Sequence, residues 1–415
     1  RTKIKLPQDA RIGGAEWSPD EKKIAFSLYR DNGAELWIAD ASSGKAKKIT
    51  GPVLNLTVGP GFYWLNDSRH LIAALVPADR GQPPEKPQVP DGPVVQETTG
   101  KVSQVRTYQD LLTSPYDEKL FDYYATSQLV RINYETGSKI KLGSPAVYRS
   151  VEHSPDQKYI LIDKIVKPYS YSVPLWSFAH KLEIWDSEGN SITTIADLPL
   201  ADQVPIRGVP TGVRSIEWRA LKDAQLVWVE ALDDGDPEKE AEYRDRIMTL
   251  SAPFTDNSRE IIKIEERYGG LSWLEKKGMA LLTERNWKKR WYTTYLVDVD
   301  ADIVSPKLIF SLSTQDRYND PGRPVGTYTD RGEYVIIYEK GNVYLSGRGA
   351  SEQGDRPFLD KMNLHTKNTE RLFHSSSGSY ETFRGFFADS RDKIIIHHES
   401  KVDVPNYYKL NLKDK

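Results

Sequence analysis

Ala15-Glu16-Trp17-Ser18-Pro19-Asp20, Lys23-Ile24-Ala25-Phe26-Ser27-Leu28, Glu35-Leu36-Trp37-Ile38-Ala39-Asp40 and Lys47-Lys48-Ile49-Thr50 are the runs that decide the fold. Each is short and rich in β-branched, aromatic or long apolar residues. Pro-Asp, Asn-Gly and Ser-Gly pairs separate them, and such pairs favour tight turns between antiparallel strands over crossover helices. The stretch therefore predicts a four-stranded meander.

The pattern recurs along the chain. A second copy holds Phe62-Tyr63-Trp64-Leu65-Asn66-Asp67-Ser68 and His70 to Leu75, with its outer strands delayed to Ser127–Ile132 and Lys139–Leu142. A third has Ser150-Val151-Glu152-His153-Ser154-Pro155-Asp156, Tyr159–Ile162, Lys181–Asp186 and Ser191–Ile195. A fourth has Ser215–Arg219, Gln225–Glu230, Asp245–Leu250 and Glu260–Ile264, and a fifth runs through Gly270–Trp273, Met279–Arg285, Thr293–Asp298 and Lys307–Phe310. Two weaker copies span Pro324 to Phe373, including Tyr334–Tyr338 and Phe358–Leu364, and Arg384 to Leu412. A twisted sheet of this kind cannot bury both faces alone, so the repetition predicts an all-β, seven-bladed β-propeller of four-stranded antiparallel blades. The whole chain, 1–415, reads as one such domain.

Seven units in 415 residues leave more chain than compact blades of ~40–50 residues need. Insertions take the excess. The largest, about 76–126 within the second blade, begins Pro-rich from Pro77 to Pro93 and then turns helical. Thr107 with Asp110 resembles a capping box, and Ser114-Pro115-Tyr116-Asp117 supplies an N-cap, a proline at the first helical position and an acid in the first turn. A short helical hairpin is expected there, placed to meet a partner or to cap the domain. Lys167 to Phe178 reads as an aromatic, nonhelical surface flap, and Asp233 to Glu240 as an acidic loop leading into a helical turn.

Composition narrows the function. Lys plus Arg (57) nearly balances Asp plus Glu (59), for a formal charge of −2, so nothing global steers the chain to nucleic acid or to an anionic membrane. No run of ~18 apolar residues occurs. With no cysteine, disulfides, thiolate zinc sites and thiol chemistry are excluded from this chain. There is no His-Glu-x-x-His, P-loop or dinucleotide fingerprint, and the acidic loop lacks EF-hand spacing, so no cofactor and no metal are expected. The string Gly349-Ala350-Ser351-Glu352-Gln353-Gly354 misses the nucleophile-elbow spacing by one residue and reads as an inter-strand loop. The seven histidines read as structural or surface residues.

One charge group stands out: Arg285-Asn286-Trp287-Lys288-Lys289-Arg290-Trp291. Four cations interleaved with two indoles at a hairpin suit a carboxylate or phosphate ligand, or else a solvated turn. Arg285, Trp287 and Arg290 are the candidate substrate-binding residues.

Arg106-Thr107-Tyr108-Gln109-Asp110-Leu111-Leu112, Asp122 to Leu129, Leu198-Pro199-Leu200-Ala201-Asp202 and Gly354-Asp355-Arg356-Pro357-Phe358-Leu359-Asp360, together with the Trp-Ser-Pro-Asp turns, carry a family resemblance. The chain resembles the amino-terminal propeller of the prolyl oligopeptidase (S9) family of serine peptidases, nearest its glutamyl endopeptidase-like branch. The resemblance implies a propeller that covers the active site of an α/β-hydrolase domain lying outside this chain, so no catalytic residue falls within it. The implied role is gating and selection of peptide substrates, including cleavage after Glu, with the hydrolase domain and peptides as partners. In that setting Arg285 and Arg290 would meet the substrate carboxylate. The alternatives from another class are an independent protein-binding propeller scaffold and a propeller enzyme with its own central site. A periplasmic or secreted setting accords with the resemblance, and the sequence itself assigns no compartment.

Overall fold

A computed structural model describes residues 2–88, 107–387 and 390–414. Part of the expected Pro-rich stretch, Arg106 of the family string and residues 388–389 of the last repeat lie outside them. The protein is all-β in a β-propeller arrangement of successive antiparallel meanders, with helix among the described residues confined to α1 (Pro115–Ala125) and a short 3-10 turn, Leu175–Ser177.

The first meander is Arg11–Trp17, Lys23–Arg30, Gly33–Asp40 and Ala46–Lys48. Four-stranded sheets also run from Arg214–Trp218 to Arg259–Ile264 and from Arg267–Trp273 to Lys307–Ser313, and a further one joins Arg323–Pro324, Asn342–Gly347, Phe358–Asn363 and Thr369–His374. The middle strands explain the long apolar runs in the sequence. Ala25, Phe26 and Leu28, Leu71 to Ala73, Leu226 to Val229 and Ala280 to Leu282 are buried at consecutive positions, so these strands have protein on both faces instead of one.

Burial comes from one sheet lying on the next. Leu36, Ala25 and Ile38 of the first sheet share a core with Phe62, Leu71 and Ile132 of the second. Farther along, Leu161 and Ile184 pack with Leu226, Trp228 and Met248, and Leu281, Leu296 and Ile309 pack with Val343, Leu345 and Met362. Each fully buried Leu or Ile contributes about 1.5–3 kcal/mol relative to exposure, which is why a single sheet of this kind would not persist alone.

The repeated Ser-Pro-Asp turns are built alike. Ser18 Oγ donates to Asp20 Oδ1 (2.6 Å) and accepts from the Lys23 amide (2.9 Å). Ser154 repeats this with Asp156 (2.7 Å) and the Tyr159 amide (3.1 Å). Both serines are buried, so each hydroxyl replaces the water its turn would otherwise need.

The sheets depart from seven separate four-stranded blades. Among the described residues there are five sheets of four or more strands, a three-stranded sheet (Ser379–Phe387, Ser390–Ser400, Asn406–Asn411) and two two-stranded ribbons. Two expected units merge because their outer and inner strands are a single strand, Lys139–His153, which makes one seven-stranded sheet from Phe62–Trp64 to Ser191–Leu198. Gly143 permits the passage: its φ is +58°, and a Cβ there would lie 2.2 Å from the Trp185 ring. In the sixth repeat, Tyr334–Ile336 leaves the main sheet and pairs with Gly326–Tyr328, so Asn342–Gly347 takes the expected inner place.

The insertion also differs from a helical hairpin. Among its described residues it folds as the single helix α1, started by the Ser114 side chain accepting from the Asp117 amide (3.2 Å). Thr107 opens no helix, and Asp110 has φ +56°, a left-handed conformation that interrupts a helical start. Nor does the aromatic segment lie loose on the surface, because Val173 and Phe178 are buried in a cluster with Ala125, Val147 and Ile165. The acidic loop forms turns without a helix, its Asp233 fully buried and accepting from the Gly235 amide (3.1 Å).

The chain divides into two compact units: Arg1–Glu242, Arg246–Glu260 and Asp330–Gly332 form the first, and Tyr243–Asp245, Ile261–Thr329 and Glu333–Lys415 the second. Within the first, Arg331 donates to the Pro155 carbonyl (3.1 Å) and pairs with Asp223 (3.0 Å).

Candidate functional site

In the second unit the Arg285-to-Trp291 group occupies a tight hairpin. Strands Met279–Asn286 and Trp291–Asp298 pair in register to Asn286 opposite Trp291, leaving Trp287 to Arg290 as the turn. The Asn286 side chain accepts from the Lys289 amide (2.8 Å), and Arg290 takes φ +52°. Thr314 holds the turn from the next connection, its amide and hydroxyl donating to the Arg290 carbonyl at 2.8 and 3.1 Å.

This places the three candidate residues on one hairpin without joining their side chains. Arg285 is exposed on the strand, its stem running over Gly269, where a Cβ would come within 2.9 Å of it. Trp287 is 61% exposed at the tip and Arg290 is exposed at the turn's end. No hydrogen bond, ion pair or ring contact links the three among the described residues, and neither arginine has a side-chain ion pair there. The field is not purely cationic. Tyr292, opposite Arg285, has its hydroxyl pushed up to about 12, first by burial and then by Asp320, with Arg285 acting against the rise. What remains is a pair of available guanidiniums beside an exposed indole, chemically suited to a carboxylate.

The histidines do other work. His70 is held by Asp67 (2.5 Å) and faces the Asn133 amide (3.1 Å), while His398 lies between Glu381 (2.9 Å) and Asp403 (3.4 Å), which raise its pKa. Ser351 closes its own short ribbon by donating to the Gly354 carbonyl (2.7 Å), the inter-strand loop expected from its spacing.

The first unit contains a feature that the sequence reading did not single out. A cleft of about 450 Å³ lies over one face of strands Tyr159–Ile165 and His180–Asp186, and is walled by the Leu198–Pro210 segment and the start of the next sheet. Asp163, Arg149, His180 and Arg214 line it, with Trp176 at 66% exposure. Arg149 Nε donates to Asp163 Oδ2 (2.8 Å), its Nη2 contacts the same oxygen, and its Nη1 donates to the Trp176 carbonyl (3.3 Å). Burial pushes the Asp163 carboxyl above its ordinary range, with the Arg149 guanidinium opposing the rise. The available signal was an acid directly after the apolar run Ile160-Leu161-Ile162. A single buried carboxylate does not name its cation, because Arg149 reaches it from the neighbouring strand.

Beside this cleft the insertion is firmly docked. Phe121 of α1 meets Tyr169 and Phe178 edge-on, with centroids 4.9 and 5.9 Å apart, and Asp122 receives Lys167 (2.7 Å) and the Tyr169 hydroxyl. Asn55 secures the far end of the helix through the Tyr124 and Thr126 carbonyls, at 2.8 and 3.1 Å. Among the described residues no helix is long and apolar enough to cross a membrane.

No protein-family profile matches the chain. Its sequence is 41% identical over 429 aligned positions to a protein named probable glutamyl endopeptidase, chloroplastic, from Oryza sativa subsp. japonica, covering 97% of this chain and 45% of that protein. The Arabidopsis thaliana protein of the same name is 37% identical over 97% of this chain and 44% of its own length. The chain thus spans somewhat under half the length of these curated relatives. Among solved structures, an oligogalacturonate lyase in complex with manganese covers 99% of the chain at 12% identity and a TM-score of 0.48, a likeness too slight to bear on function.

Proposed function

We propose that this chain, which belongs with the glutamyl endopeptidase-like proteins, is the noncatalytic propeller portion of a serine peptidase. The observation that carries the reading is identity of 41 and 37% across 97% of the chain, matched to under half of each relative. Its partner is then an α/β-hydrolase domain that supplies the serine, the base and the oxyanion site for acyl transfer. The propeller's part is to limit access to that site and to form a portion of the substrate wall. Seven blades fit this reading if Lys139–His153 is counted as the outer strand of one blade and the inner strand of the next, and the final three-stranded sheet as the seventh.

In the same reading Arg285 and Arg290, with Trp287 beside them, receive the side-chain carboxylate of a Glu-containing peptide. Their support is exposure and the absence of competing carboxylate partners among the described residues. A guanidinium pairs with a carboxylate through two parallel hydrogen bonds, which glutamine cannot match in charge.

The test compares this 415-residue chain with the same chain extended to the end of its coding region, on fluorogenic Glu, Gln and Pro peptides. Hydrolysis by the extended protein alone, abolished by a serine-directed phosphonate, is the expected result. Activity in the 415-residue chain would overturn the noncatalytic assignment, and activity in neither would favour a protein-binding scaffold. In the extended enzyme, Arg285→Ala with Arg290→Ala should lower kcat/KM for Glu peptides about tenfold or more relative to Gln peptides, the scale of a lost charge-assisted hydrogen bond. Unchanged selectivity would remove those residues from the reading.

A further inference from the structure

The cleft of the first unit holds two hydrogen-bond acceptors that the protein leaves unmatched. Asp163 is 5% exposed, and both of the hydrogen bonds it receives from Arg149 go to its Oδ2. Its Oδ1 is buried and has no partner among the described residues. His180 Nδ1 lies 2.9 Å from the Phe178 carbonyl. A carbonyl can only accept, so that nitrogen carries the proton, and in the neutral tautomer Nε2 presents a lone pair. No partner for Nε2 occurs among the described residues.

The sheet register puts these two acceptors side by side. Asp163 pairs with Leu182 and His180 with Ile165, so Asp163 and His180 are diagonal neighbours on one face, together with Leu161 and Leu182. The cleft's volume of about 450 Å³ falls within the ~300–1,000 Å³ of small-ligand sites. Most of the remaining wall is leucine, valine and proline. The chemistry then selects the ligand. Its donors face two acceptors, and the two guanidiniums of the lining, Arg149 and Arg214, are balanced by two carboxylates, Asp163 and Asp234, so the cleft favours neither an anion nor a cation. Uncharged N–H groups on an apolar body satisfy both conditions.

We propose that this cleft binds an uncharged peptide segment, its backbone N–H groups received by Asp163 and His180 and its branched apolar side chains lying on the leucine and valine wall. The site is separate from the Arg285 hairpin and does not depend on the peptidase reading. A buried acceptor left without a donor is costly, so a ligand that supplies one recovers that cost along with the burial of its apolar groups.

The experiment titrates the 415-residue chain with N-acetyl-Leu-Val-Leu-amide by calorimetry, beside N-acetyl-Glu-Val-Glu-amide and the leucine peptide with a free amino terminus. The capped leucine peptide is expected to bind about tenfold or more tightly than either. Asp163→Asn turns its oxygen to Arg149 and offers the cleft a donor in place of an acceptor, and should weaken binding about tenfold. Ala201→Trp fills the cleft from its half-buried rim and should abolish binding even if the Asp163 variant fails to fold. No binding of the capped leucine peptide, a preference for the acidic or free-amine peptide, or full binding by a folded Ala201→Trp variant would each overturn the proposal.

Discussion

His153 shows how much a single side chain can depend on its surroundings. It follows the strand Lys139–His153 up to a Ser-Pro-Asp turn, and its half-buried ring lines a cavity of about 270 Å³ with Arg131, Asp67 and His70. Its pKa is lowered to about 4, first by removal from water and then by the Arg131 cation, with Asp67 opposing them. In the unfolded chain an imidazole titrates near ~6.5. Between those values the unfolded state binds the proton that the folded state refuses, so this residue's contribution is intact above about pH 6.5 and is lost as pH falls toward 4. His153→Gln should therefore flatten the fall of the unfolding midpoint over that window, as read by urea melts at stepped pH. An equal pH slope in variant and parent would show that the ring titrates freely in the folded state. At the same scale, the expected candidates Arg285, Trp287 and Arg290 could be placed at a hairpin from sequence because turn residues sit between two apolar runs. Their failure to touch one another was not legible, since strand pairing sets the turn but leaves exposed side chains free.

Elements were read well where their signal was local. Ser114-Pro115 and the first-turn acid predict the start of α1, whose Phe121 docks while Tyr124 stays 47% exposed. The Thr107 signal failed although Tyr108 and Leu112 pack on the apolar cluster, because Asp110 holds a left-handed conformation that breaks the helical path. The aromatic segment 167–178 was placed at the surface because its partners are distant in sequence: Phe121 and Ala125 bury Tyr169 and Phe178 from some 50 residues away. Edge-to-face ring pairs contribute about 0.5–1.5 kcal/mol each beyond area. Phe121→Ala removes two, so it should cost about 2 kcal/mol and hasten proteolytic cleavage near residues 110–125, observable by mass spectrometry of timed digests. An unchanged digest pattern would mean that Asp122, Lys167 and Asn55 hold the helix without the rings.

For the whole molecule, stability resides in apolar layers between successive sheets. Leu345 is 1% exposed, in the core that joins the Arg267–Trp273 to Lys307–Ser313 sheet with the one after it. Leu345→Ala should cost about 2–5 kcal/mol. Because that core lies entirely within the second compact unit, the loss of hydrogen-exchange protection should be greatest in residues 261–415. Uniform loss along the chain would show that the two units unfold as one. The sequence by itself determined the all-β class, the meander repeat, the site of the large insertion and the relation to glutamyl endopeptidases, because turn chemistry, apolar runs and family strings are all local patterns. Only the tertiary structure decided that Lys139–His153 serves two expected units at once, that the flap is buried under α1, and that Arg149, Asp163 and His180 converge on a cleft. Those outcomes rest on which strand lies beside which, and on burial between residues far apart in the chain.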